Sequence, residues 1–207
     1  MGNASFRIES VEVLGPLLAA FAVLLAARAS RKRPGWYGRP ALTRLVAAGY
    51  VAGFLHFTIF PIIVDRAQNE ASWTGQVQPI PFLSVLAMDP TVVLNVILFV
   101  PFGLLLPLIA KGELSVKGVA LRSLAVSLTI ELTQLGMYIL FSNGRGTDVD
   151  DLIANTLGGV LGYLILRRVL RSSALSGLVR DFALPGTALA ASATETVSVV
   201  AAAPGAR

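Results

Sequence analysis

Cysteine is absent from the chain and histidine occurs once, as His56. No disulfide, thiolate metal site or cysteine nucleophile is therefore available. A single imidazole in a run of aromatic residues, with no neighbouring acid, gives no zinc centre. Charge is scarce too: Asp, Glu, Lys and Arg make up 14% of the 207 residues, whereas hydrophobic residues reach 55% and mean hydropathy is +0.72. Such a composition lies outside the soluble range and implies the lipid bilayer as solvent. The net charge of +5 does not indicate a nucleic-acid partner, because Lys and Arg stand in short clusters beside apolar segments rather than along one patch. Nucleotide-binding motifs are missing, and so are transporter-type internal repeats, which leaves little for an alternating-access reading.

What is there is hydrophobic length. A helix needs roughly 20 apolar residues to cross the hydrocarbon core. Five stretches near that length stand at 11–27, 43–64, 91–110, 119–141 and 152–167. The fold class read from them is all-α, a polytopic membrane helical bundle with about five transmembrane helices. Residues 1–180 form the transmembrane domain, and 181–207, a run of small residues with few charges, a disordered cytoplasmic tail. Ala27-Arg28-Ala29 resembles a signal cleavage site, but Glu9 and Glu12 precede the first stretch and Arg31-Lys32-Arg33 follows it. These flanks indicate an uncleaved helix with its N-terminus outside.

Alternating the five spans across the membrane sorts the basic residues. Arg28, Arg31, Lys32, Arg33, Arg39, Arg44, Lys111, Lys117, Arg122, Arg167, Arg168, Arg171 and Arg180 fall on one side. Arg7, Arg66 and Arg145 fall on the other, with Arg207 at the end of the tail. The expected topology is a multi-pass cell-membrane protein with an extracytoplasmic N-terminus and a cytoplasmic C-terminus.

Polar residues inside apolar spans need a partner or a purpose, since a carboxylate near a helix centre costs roughly 2.5–3.5 kcal/mol to insert. Glu131 is the most demanding of them. Glu131, Gln134 and Tyr138 share a face of the fourth span, and Asp148, Asp151 and Asn155 share one across the start of the fifth. Thr147 and Asp150 have capping-box spacing, so the fifth helix is expected to begin near Asp148. With Asn95 on the third span, these groups all face the outer side, Glu131 from near the middle of its helix. They imply a polar pocket open to the extracytoplasmic surface, with Arg145 as the nearby cation. Its acids and amides suit a divalent cation, for which Asp148 and Asp151 are the candidate ligands, a sugar-phosphate headgroup or a cationic ligand. Each group also has a structural reading. Acids at a helix start complement its dipole, and Asn and buried Glu bind helices together.

The series Asn95-x-x-x-Phe99-x-Pro101-x-Gly103, Glu131-x-x-Gln134, and Arg145-x-x-Asp148-x-x-Asp151-x-x-x-Asn155-x-x-Gly158 closely resembles the VanZ-like family of bacterial membrane proteins, over a motif region of 95–162. The resemblance implies a setting in the cell envelope and an effect on sensitivity to glycopeptide antibiotics, chiefly teicoplanin, rather than a defined reaction. Asn95, Glu131, Gln134, Arg145, Asp148, Asp151 and Asn155 are then the ligand-binding candidates. The expected partners are membrane lipids and a lipid-linked cell-wall precursor or lipoglycopeptide. No cofactor is expected, apart from a possible divalent cation. The alternative is an intramembrane enzyme acting on lipid headgroups, with a carboxylate-held metal ion, Arg145 on a phosphate and Glu131 as general base.

Overall fold

The computed structural model describes residues 5–65, 73–141 and 146–192. Within them the chain is a helical bundle. Five long helices stand where the hydropathy places them: α1 (Ser10–Ser30), α2 (Gly38–Thr58), α4 (Pro90–Ile109), α5 (Val116–Phe141) and α6 (Val149–Leu170). Between them lie one turn of helix, α3 (Leu83–Leu86), and beyond them a short amphipathic α7 (Ser173–Asp181). α1, α4, α5 and α6 are each long and apolar enough to cross a membrane. α2 matches them in length but carries Arg39, Arg44 and His56.

Two short strand pairs sit at the end of the bundle opposite the basic clusters. β1 (Ser5–Ile8) runs antiparallel to β2 (Ile62–Asp65), with Phe6 opposite Val64, and β3 (Val77–Gln78) runs parallel to β4 (Thr147–Asp148). The second span was expected to continue to residue 64, but the helix stops at Thr58 and β2 begins at Ile62. Pro61 lacks the N–H that a further turn needs, and the Thr58 hydroxyl donates back to the Phe54 carbonyl at 2.8 Å.

α4 and α6 pack most closely, because glycines let their backbones touch. A Cβ at Gly158 would collide with the Val96 carbonyl, one at Gly162 with the Val100 carbonyl, and one at Gly103 with the Gly159 carbonyl. Small residues serve this purpose in membranes, where lipid gives no hydrophobic drive for helix pairing and close contact must supply the attraction. Phe54, Phe99 and Ile130 form one buried cluster and Leu106, Val119 and Tyr163 another, so the core lies among α2, α4, α5 and α6. α1 stays at the periphery, with Leu14 its buried residue.

α4 runs unbroken through Pro101 and Pro107, while Tyr50 donates to the Leu98 carbonyl at 3.0 Å, three residues before Pro101. At its start the Asp89 carboxylate accepts from the Thr91 N–H at 2.9 Å and the Thr91 hydroxyl at 2.7 Å, a side-chain N-cap. Those bonds hold the Asp89 carboxyl below its ordinary value of 3.8. A depressed folded-state value means that the cap stabilises the fold above pH 3.8 and is lost as pH falls through the lower folded value. Asp89→Ala is therefore expected to lower thermal stability at neutral pH and to flatten its acid dependence, as read by unfolding curves between pH 3 and 7. Parallel curves for wild type and variant would refute the cap.

The chain beyond α7 differs from the loose tail expected from residue 181. The Leu184 N–H donates to the Leu108 carbonyl at 2.8 Å, the Thr43 hydroxyl to the Phe182 carbonyl at 2.6 Å, and Arg39 pairs with Asp181. Thr187 is buried and bridges to Lys111 and Gly112. Backbone hydrogen bonds, which side-chain composition does not reveal, dock 182–192 on the bundle. Residues 193–207 lie outside the described part.

Candidate functional site

The acids and amides gather at the strand-bearing end of the bundle, but in two separate arrangements. In the first, carboxylates hold the loop between β3 and α4 onto the start of α6. Asp148 is the N-cap of α6, where the fifth helix was expected to begin, and its Oδ1 accepts from the Asp150 N–H at 2.8 Å. Gln78 Nε2 donates to the same oxygen at 3.1 Å, and the Ser84 hydroxyl donates to Oδ2 at 2.6 Å. Thr147, predicted as the cap, instead donates to the Glu131 carbonyl at 3.2 Å. Asp150 is 2% exposed and accepts from the N–H groups of Phe82 at 2.5 Å and Ser84 at 2.8 Å. Glu131, also 2% exposed, accepts from the Asp148 N–H at 3.1 Å, which ties the middle of α5 to the turn before α6.

In the second arrangement a cavity of about 460 Å³ lies among α2, α4, α5 and α6. Its polar wall is Thr58, Thr91, Asn95, Gln134 and Asp151. Asn95 hydrogen-bonds the Asp151 carboxylate, and Gln134 Nε2 donates to the Thr58 carbonyl at 2.8 Å. The opposite wall is apolar, with Phe57, Leu94 and Ile97 all exposed on the flank of the bundle. The cavity thus presents one carboxylate and two amides at its polar end and an oily rim facing sideways.

Of the seven predicted site residues, Asn95, Gln134 and Asp151 line the cavity. Glu131 and Asp148 belong to the capping arrangement beside it. Asn155 is buried elsewhere on α6, donating to the Ser127 hydroxyl at 2.9 Å, with its Oδ1 unpaired among the described residues. Arg145 lies outside the described residues. Ser84, Ser127, Thr58 and Thr91 were missed. Ser127 stands four residues before Glu131 on the same helix face, a spacing that marks it; Ser84 sits in a loop with no such signal. As for a cation, both oxygens of Asp148 are engaged by protein donors, and among the described residues no three His, Cys, Asp or Glu side chains are grouped as metal ligands.

The four carboxylates at this end, Glu131, Asp148, Asp150 and Asp151, lie near one another, and no Lys or Arg among the described residues forms an ion pair with any of them. Hydrogen-bond donors from the backbone, Ser84, Gln78 and Asn95 take the place of counterions.

The chain has relatives among known proteins. No solved structure matches it with significance. Protein VanZ of Enterococcus faecium is 44% identical over 68 residues, which are 33% of this chain and 38% of that protein, so the chain spans well under half the length of the curated relative it matches. The family described as VanZ/LLP1 matches residues 47–171, more than half of the chain and all of α4, α5 and α6. The chain belongs to the VanZ family of membrane proteins.

Proposed function

We propose that this protein binds an amphiphilic envelope molecule at the outer leaflet of the cytoplasmic membrane and so alters sensitivity to teicoplanin-type glycopeptides. The observation that carries the reading is the two-faced cavity. Asn95, Gln134 and Asp151 offer hydrogen-bond acceptors and donors for a polar headgroup, while Phe57, Leu94 and Ile97 extend the site toward lipid, where an acyl chain would lie. Its ligand class is a lipid-linked cell-wall precursor or a lipoglycopeptide. The topology that supports this has the strand-bearing end outside, since the basic clusters of Arg28 to Arg44, Lys111 to Arg122 and Arg167 to Arg180 belong to the opposite end. The headgroup-enzyme alternative gains nothing from the site, because Asp148 is spent on its loop and Glu131 on the Asp148 N–H.

Expression of wild type, Asp151→Asn and Gln134→Leu at equal membrane levels in a glycopeptide-sensitive bacterium tests the reading. Wild type is expected to raise the inhibitory concentration of teicoplanin several-fold, and both variants to return it to the vector level. Equal protection by all three would remove the cavity from the function.

A further inference from the structure

A second groove, on another face of the bundle and reaching toward its basic end, has a chemistry of its own. It holds about 440 Å³ between α1 and α2. Leu14, Leu17 and Phe21 form one wall and Ala48, Val51 and Leu55 the other. Small alanines on α2 keep it open, and from Arg44 to Leu55 it extends eleven residues, or ~16 Å at 1.5 Å per residue. Its lining has a single charged member, Arg44, at the basic end of the bundle.

The mouth at Arg44 gathers positive charge, and among the described residues no acid forms an ion pair with it. The Arg44 guanidinium lies 4.2 Å from the centre of the Trp36 ring, and that of Arg28 lies 5.1 Å from the same ring. Two cations thus share one indole. Arg44 Nε donates to the Gly35 carbonyl at 2.8 Å, which fixes the side chain under the α1–α2 loop and leaves its two terminal nitrogens with no acceptor among the described residues. Arg28 has no side-chain hydrogen bond and no ion pair among the described residues, where the ion pairs are Arg7 with Glu9 and Arg39 with Asp181. Two cations held at one indole, beside a helix end and at the mouth of an apolar slot, match a phosphate carrying a hydrocarbon chain.

We infer that the α1–α2 groove is a binding site for an anionic phospholipid of the cytoplasmic leaflet, with its phosphate between Arg28 and Arg44 and one acyl chain along the α1–α2 seam. The site is independent of the cavity at Asp151 and stands or falls separately from it.

Native mass spectrometry of the full chain in detergent, titrated with dioleoyl phosphatidylglycerol and dioleoyl phosphatidylcholine, tests this. Wild type is expected to prefer phosphatidylglycerol, and Arg28→Gln with Arg44→Gln to bind it roughly thirtyfold more weakly, the loss of two basic groups at a lipid headgroup. Ala48→Phe, which fills the slot, is expected to weaken both lipids. Millimolar inorganic phosphate is expected to leave the bound lipid in place. Should the double variant not fold, Arg28→Gln alone carries the test through its smaller loss of preference. Equal binding of both lipids by wild type, unchanged binding by the variants, displacement by free phosphate, or a dimer that occludes the groove would each overturn the proposal.

Discussion

Gly162→Val is expected to abolish the folded, monodisperse protein. A side chain at Gly162 would run into the Val100 carbonyl and sit 3.1 Å from the Leu104 nitrogen, and both obstacles are backbone of α4. No rotamer change relieves such a contact. Either α4 and α6 separate, forfeiting the closest packing in the bundle, or the helices distort. Overpacking of a core commonly costs about 1–3 kcal/mol where side chains can adjust, and backbone against backbone lies at or beyond the upper end. Fluorescence-detected size exclusion of a tagged protein reads the outcome directly. Gly49→Ala in α2, where no atom lies within 4 Å of the added methyl, serves as the matched control and is expected to run as wild type. A normal profile for Gly162→Val would mean that α4 and α6 do not pack as described.

Asp150→Ala is expected to release the loop from β3 to α4 while the long helices stay folded. The carboxylate is buried and accepts from two backbone N–H groups, those of Phe82 and Ser84. Removing it leaves both donors unsatisfied, at about 1–3 kcal/mol each. Phe82 adds to the effect, since it is a non-glycine residue at φ 67°, a left-handed conformation held where its N–H meets Asp150. Asp150→Asn keeps one acceptor and is expected to fall between wild type and alanine. Limited proteolysis in the segment 77–89 measures the release, and helical circular dichroism is expected to stay near wild type. Resistance of the alanine variant equal to that of wild type would show that other contacts hold the loop.

The long helices were legible because the bilayer sets a length and a polarity that each span must meet, and α4, α5 and α6 begin within about three residues of the hydropathy limits. The acids were legible as a group but not in their division. Asp148 and Asp151 are three apart, which would place them on one face of a helix. The helical rule fails one residue too early: Asp148 is the N-cap, with φ −125° and ψ 130°, so its side chain leaves the helix direction and turns toward Ser84 and Gln78. Asp151, already inside the first turn, faces the cavity. The capping reading therefore describes Asp148, and a ligand reading is left to Asp151. Glu131 and Gln134 divide in a similar way, because one meets the turn before α6 and the other meets α2. Neither neighbour can be inferred from α5 itself.

α2 is fastened by one segment that precedes it and by another far beyond it. β1 pairs with β2 just past its last turn, and the Thr43 hydroxyl near its start donates to Phe182, 139 residues later. A nascent chain emerging from the ribosome holds the first fastening soon after α2 is made, but the second only after α4 to α7 have followed. The helix that carries Arg39 and Arg44 and has no long, strongly apolar window of its own is thus fastened near its start by chain made after α7. Closing such a sequence-distant contact carries a larger loop-closure cost than the local pairing of β1 with β2.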